Sequence, residues 1–179
     1  TYSNLLYPLS LFFRLGTKLR NLFSIKKMSP IPTIWIGNIV VGGAGKTPVA
    51  MKVCKMLIEA GYKPHFISKG YSGVIKKSTL VESWHSPVSV GDESLLLSEI
   101  ASTWIGVNRI KSSYLAKNNG ADCLIMDDGF QNPSIGKDFS IVVIDGEQEF
   151  GNKRVIPSGP LRESIRRGFS RTDVVLVIG

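Results

Sequence analysis

The run Gly42-Gly43-Ala44-Gly45-Lys46-Thr47 has the composition of a turn that holds phosphate. Glycines let consecutive backbone N–H groups point inward, and a helix starting at the turn adds its positive end. Lys46 can reach terminal phosphates, and Thr47 can ligate Mg²⁺. Each of these parts answers a need of a bound nucleoside triphosphate. Val40 stands where the pattern G-x-x-x-x-G-K-[ST] has its first glycine, so context must carry part of the identification. That context is present. Ile34-Trp35-Ile36 reads as a buried strand before the turn, and Val49, Val53, Met56, Leu57 and Ala60 recur at helical spacing after it. Pro48 is tolerated in a first helical turn but biases Thr47 away from helical angles.

Asp127-Asp128 closes the apolar run Cys123-Leu124-Ile125-Met126. The C-terminal end of such a strand is where a nucleotide-binding α/β protein keeps its second Mg²⁺ anchor. Gly91-Asp92-Glu93 opens a helix and admits two readings: an ordinary N-cap with an acidic first turn, or a carboxylate placed to accept a proton from a hydroxyl nucleophile. Arg109, at a helix start, and Arg162-Glu163, in a Pro/Gly loop, can serve phosphate or metal, or form surface ion pairs. Cys54 and Cys123 lack metal-ligand spacing and read as reduced, buried thiols.

The elements that must position these groups follow from periodicity. A second strand is expected at 63–68, and an exposed hairpin or edge excursion at 79–90, where Pro87 interrupts the alternation. A helix is expected from Asp92, a strand at 104–107, a helix at 109–118, and apolar strands at 123–126, 141–144 and 174–178. Residues 151–171 form a long loop with one short helix. Continuous apolar strands alternating with helices imply a mainly parallel sheet flanked by helices, in an α/β fold of the P-loop NTPase kind. The chain of 179 residues is long enough for one such domain, over 29–179.

Residues 1–28 have a different character. Eight basic residues precede the first acid, Glu59, and the rest of the chain is balanced within its net charge of +8. Leu5, Leu6, Leu9, Leu11, Phe12, Phe13, Leu15, Leu19, Leu22 and Phe23 are interleaved with Arg14, Lys18 and Arg20. Large apolar side chains beside cations suit an amphipathic helix lying in an anionic headgroup region better than a nucleic-acid arm, so no nucleic-acid partner is expected. Pro8, Arg14 and Lys18 interrupt the stretch too early for a span of about 20 apolar residues. The charges follow the apolar run and no cleavage site is evident, which separates it from a signal peptide. The competing reading is an amphipathic helix packed on its own domain.

Taken together, Gly37-Asn38-Ile39, Gly42 to Pro48, Ser68-Lys69-Gly70-Tyr71, Val90-Gly91-Asp92-Glu93, Asp127-Asp128-Gly129-Phe130-Gln131 and Pro157 to Glu163 resemble, in order and spacing, the tetraacyldisaccharide 4′-kinase family of lipid A biosynthesis. The resemblance implies an ATP- and Mg²⁺-dependent kinase that phosphorylates the 4′-hydroxyl of an acylated glucosamine disaccharide 1-phosphate. It implies a peripheral location on the cytoplasmic face of the inner membrane of Gram-negative bacteria, with no obligate protein partner. It also implies Asp92 as catalytic base, Lys46 and Thr47 on ATP and Mg²⁺, Asp127, Asp128 and Glu163 on metal and phosphate, and Arg109 and Tyr71 as further site residues.

Lys69 stands where the family usually has arginine, Asn132 where histidine is usual, and Ala44 where a hydroxyl residue is common. Lysine keeps the charge without the planar fork, and Asn132 cannot titrate. Two rival readings share the phosphate turn. A partitioning-type or targeting-type membrane ATPase would carry lysine at the position of Val41. A non-catalytic, nucleotide-dependent membrane-binding module would bind ATP without transfer to a glycolipid. The family is longer than this chain and uses a histidine from its C-terminal part, a role for which neither His65 nor His85 lies in a suitable motif. Residues 1–179 alone are therefore expected to bind nucleotide and turn over poorly, and robust transfer by that piece in a labelled-ATP assay would overturn the dependence.

Overall fold

The computed structural model describes residues 2–23, 27–71, 73–128 and 135–179. Two helices come first, α1 (Tyr2–Leu5) and α2 (Tyr7–Leu22), then β1 (Thr33–Gly37), α3 (Lys46–Glu59), β2 (Pro64–Ser68) and β3 (Thr79–Leu80). Next come α4 (Pro87–Val90), α5 (Asp92–Ser98), β4 (Thr103–Ile105) and α6 (Arg109–Asn118). The chain continues through β5 (Cys123–Asp127), β6 (Phe139–Asp145), α7 (Ile165–Phe169) and β7 (Val174–Ile178).

The strands form one seven-stranded sheet in the order β3-β4-β2-β5-β1-β6-β7, parallel throughout except for β3. The period-2 alternation of the central strands builds two cores. Ile34 and Ile36 of β1 join Phe66, Ile125 and Val143 beneath Ala50 and Cys54 of α3 and Leu97 of α5. Trp35 points the other way, with Ile67, Leu124 and Met126, and meets Ala116 of α6. Each fully buried aliphatic side chain contributes about 1.5–3 kcal/mol, so the central strands are fixed in register by both faces.

Register places the site. Ile36 pairs with Asp127, so the chain leaves β1 toward the glycine-rich turn directly beside the carboxyl end of β5. Gly45, the N-cap of α3, has φ +68, a left-handed conformation that a glycine adopts without cost. The excursion at 79–90 differs from a hairpin. Only Thr79 and Leu80 pair, antiparallel to β4 at the sheet edge, and Pro87 starts the short α4 because proline fits a first helical position. Val174 to Val177 of β7 are exposed at the other edge.

α2 touches the rest of the chain through its polar side. The buried Ser10 hydroxyl donates to the Val155 carbonyl (2.8 Å) and accepts from Ser158 N–H (3.2 Å), while Ser3 donates to the Ser158 carbonyl (2.7 Å). Leu5, Leu9, Phe12, Leu15 and Leu19 stay exposed, Phe12 at 72%. Among the described residues, this apolar face is left uncovered.

Gly91 has φ +88, and a Cβ there would run into the carbonyl oxygen of Tyr71. Substituting Gly91→Ala is expected to lower stability by about 1–3 kcal/mol, read as a shift in the urea midpoint at unchanged m-value.

Candidate active site

Four segments converge at the carboxyl ends of β1 and β5. The turn 42–47 is shaped from behind by buried Asn38, whose amide donates to the Gly42 carbonyl (3.2 Å). It is braced from the side by the 155–163 loop: Val41 N–H donates to the Pro160 carbonyl (2.7 Å) and Arg162 N–H to the Ile39 carbonyl (2.8 Å). Lys46 emerges with its ammonium 3.7 Å from Asp128 Oδ1, and Arg162 Nη1 reaches the same oxygen at 3.3 Å. Thr47, in the first turn of α3, donates its hydroxyl to Asp127 Oδ2 (3.3 Å).

The two adjacent aspartates have different surroundings. Asp127 is 2% exposed, and its Oδ1 has no hydrogen-bond partner among the described residues. Asp128 is half-exposed and sits at φ +48, a left-handed conformation uncommon for non-glycine residues but tolerated by Asp better than by most. Arg109 braces it: its buried guanidinium donates to the Asp128 backbone carbonyl (3.4 Å). Burial lowers the Arg109 pKa, and the charges of Asp128 and Asp127 oppose that shift.

Burial pushes the Asp127 pKa up from 3.8 to about 6, with further upward pressure from Glu93 and Asp128; Lys46 and the Thr47 hydrogen bond pull the other way. Glu93 is thereby identified as part of the site's charge. Sequence reasoning gave it only the role of a first-turn acid, and its reach to Asp127 depends on how α5 docks. Ser94 assists that docking, its hydroxyl donating to Ser68 at the end of β2 (3.4 Å).

Asp92 is the first residue of α5 and is exposed, with Gly91 at the N-cap, so the capping reading for Asp92 falls away. Its side chain makes no hydrogen bond or ion pair among the described residues. Glu163 is buried and paired with Arg171, and Arg167 lies 3.8 Å from its other oxygen, so two arginines already compensate its charge. Tyr71 is exposed and touches this region through its carbonyl at Gly91. Gln131 and Asn132 lie outside the described residues. His65 and His85 are engaged structurally: His65 Nδ1 accepts from Trp104 Nε1, and His85 Nδ1 accepts from Glu82 N–H. Both cysteines are buried free thiols, and burial pushes them up to about 11 for Cys54 and about 12 for Cys123.

The donor set fits Mg²⁺. A buried carboxylate oxygen without a partner beside a threonine hydroxyl offers hard oxygen ligands, and Mg²⁺ in phosphoryl-transfer sites takes one or two carboxylates plus substrate phosphates. No group of three or more His, Cys, Asp or Glu side chains among the described residues forms an all-protein cage, which such a site does not require.

Between pH 3.8 and about 6, folded Asp127 holds a proton that the unfolded chain has released, so stability falls as pH rises through that window. At neutral pH the ionised group costs the unliganded protein about 3 kcal/mol, discounted by any cation that binds. Asp127→Asn is therefore expected to raise the urea midpoint of the unliganded protein at pH 7, to flatten its pH dependence, and to abolish Mg²⁺-dependent nucleotide binding in calorimetry.

The model of the tetraacyldisaccharide-1-P 4′-kinase family matches residues 2–179. The tetraacyldisaccharide 4′-kinase of Jannaschia sp. (strain CCS1) is 45% identical over 178 residues, covering 99% of this chain and 54% of that protein. The one from Paramagnetospirillum magneticum is 46% identical over 179 residues, 99% of this chain and 55% of that protein. The chain thus spans about half the length of these curated relatives. Among solved structures, the "apo" form of LpxK from Aquifex aeolicus in complex with ATP is similar at TM-score 0.87 and 27% identity, over 99% of this chain and 59% of that one. With a family-model match over residues 2–179 and similarity along nearly its whole length, this chain belongs to the tetraacyldisaccharide-1-P 4′-kinase family.

Proposed function

We propose that the full-length protein transfers the γ-phosphate of ATP to the 4′-hydroxyl of tetraacyldisaccharide 1-phosphate, forming lipid IVA in lipid A biosynthesis. The observation that carries this reading is the convergence of Lys46, Thr47, Asp127 and Asp128 at adjoining strand ends. Phosphoryl transfer asks a protein mainly for positioning and charge neutralisation, and these residues supply both.

The backbone N–H groups of the 42–47 turn and the N-terminus of α3 hold the β- and γ-phosphates, and Lys46 offsets their charge. Thr47 and Asp127 would hold Mg²⁺, which when bound neutralises the oxygens of the transferring group. Asp128 keeps Lys46 and Arg162 aimed at the phosphates, and Arg109 fixes the backbone from which Asp128 projects. Asp92 takes the proton of the sugar hydroxyl as its oxygen attacks the γ-phosphorus. The bond to the β-bridging oxygen breaks, and ADP leaves. An exposed carboxylate with no hydrogen bond or ion pair among the described residues suits that task. The pairing of Glu163 with Arg167 and Arg171 favours a role in ordering the 162–171 segment over direct metal contact.

α2 accounts for the acceptor's lipid character. It shares with the 162–167 segment a cavity of about 340 Å³ lined by Leu11, Arg14, Leu15, Lys18, Arg162 and Arg167. Acyl chains along α2 would leave a sugar headgroup beside Arg162, which already contacts Asp128. No helix among the described residues is long and apolar enough to cross a membrane, and the exposed apolar face of α2 with Arg14 and Lys18 suits peripheral attachment. On this reading the protein works at the cytoplasmic face of the inner membrane.

In an assay of the full-length protein with labelled ATP and acylated disaccharide 1-phosphate, Asp92→Asn is expected to lower kcat by about 10²–10⁴-fold while leaving ATP affinity nearly unchanged. Lys46→Ala should weaken ATP binding and rate together, and equal small losses from both would count against these assignments. Replacing Leu9 and Phe12 by Asp should weaken binding to anionic vesicles by about ten-fold or more. Retention of vesicle binding by that variant would remove the helix from the membrane contact.

A further inference from the structure

Beside β4 a second cleft of about 570 Å³ opens, whose lining includes Lys27, Lys76, Lys77, Arg109 and Lys111 and, among the described residues, no Asp or Glu. Its walls are built by the backbone. Val107 N–H donates to the Lys76 carbonyl (3.1 Å), and the Ser112 hydroxyl donates to Ser78 (3.0 Å), tying the lysine-bearing strand approach to the first turn of α6. Asn108 caps that ten-residue helix, its side chain accepting from Lys111 N–H (3.0 Å). Arg109, only 6% exposed, belongs to the cleft and also holds the Asp128 carbonyl, so one side chain joins this cleft to the candidate active site.

Lys76 spends its ammonium on the Gly73 carbonyl (2.6 Å), whereas Lys27, Lys77 and Lys111 have no ion pair among the described residues. Several basic residues around one cleft without an acid favour an anion there, and a cleft focuses their field. The helix N-terminus, the ammonium groups and a fixed guanidinium together match the charge and oxygen multiplicity of phosphate better than those of a single carboxylate.

We propose that this cleft is a second phosphate-binding site, separate from the nucleotide turn, that takes a phosphate group carried either by the glycolipid acceptor at its non-reacting end or by a membrane lipid. Only the first of these sources rests on the kinase reading.

The test uses full-length protein with its nucleotide turn filled by a non-hydrolysable ATP analogue. Glucosamine 1-phosphate is expected to bind in calorimetry, at least ten-fold more weakly to the variant carrying Lys77→Gln and Lys111→Gln, with the melting temperature unchanged. A ten-fold rise in acceptor KM at nearly constant kcat then assigns the phosphate to the acceptor. A ten-fold loss of affinity for phosphatidylglycerol vesicles at constant KM assigns it to the headgroup. Wild-type values on all three readouts overturn the site. Should the double variant melt early, Lys27→Gln, on a separate segment, provides the same comparison. Calorimetry and vesicle binding need no turnover, so an inactive wild-type protein would sink the proposed reaction and still leave the cleft decided.

Discussion

The arrangement depends on a carboxylate that the fold has taken out of water without giving it a full complement of partners. Asp127 ends a strand flanked on both sides by parallel neighbours, so its backbone cannot move without breaking the sheet. Thr47 satisfies one oxygen and nothing among the described residues satisfies the other. A site tuned for its own stability would have paired that oxygen. Leaving it open, with Glu93 and Asp128 adding negative charge nearby, stores an attraction for a cation that only ligand binding releases.

The neighbouring cations are arranged to serve that charge rather than to cancel it. Lys46 and Arg162 both approach Asp128, the half-exposed member of the pair, and form no ion pair with Asp127 among the described residues. Arg109 reaches the backbone carbonyl instead of a carboxylate, so it sets the direction in which Asp128 points while keeping its own charge available. Two consecutive aspartates thus differ in surroundings: the more buried one keeps an oxygen without a hydrogen-bond partner among the described residues, and the more exposed one gathers basic side chains.

Much of this could be read from residue order. The phosphate turn follows from its glycines and from flanking periodicities of two and 3.6, and the position of Asp127 follows from the length of the apolar run before it. The double-sided core of β1, β2 and β5 also follows, because parallel strands buried on both faces read as near-continuous apolar runs. What stayed hidden was contact through the main chain. The bonds from Val41 to Pro160 and from Arg162 to Ile39 join segments more than a hundred residues apart and require no particular side chain. Glu93 looked like a helix-start residue because nothing local records where α5 docks. Glu163 sits in a motif shared with Arg162, yet its partners Arg167 and Arg171 come from the following helix and turn. The stretch at 79–90 alternates like a hairpin, but Pro87 removes an N–H and favours a helical start, which decided the local structure.

The brace formed by residues 152–163 has a mechanical implication. One end grips Ser3 and Ser10 of the N-terminal helices; the other is bonded to the stretch from Ile39 to Val41 that leads into the phosphate turn. A tilt or change of depth of the amphipathic helix therefore has a continuous hydrogen-bonded route to the backbone amides that would cup the triphosphate. Through that lever, whatever the exposed face of the helix contacts would share in setting the shape of the 42–47 turn.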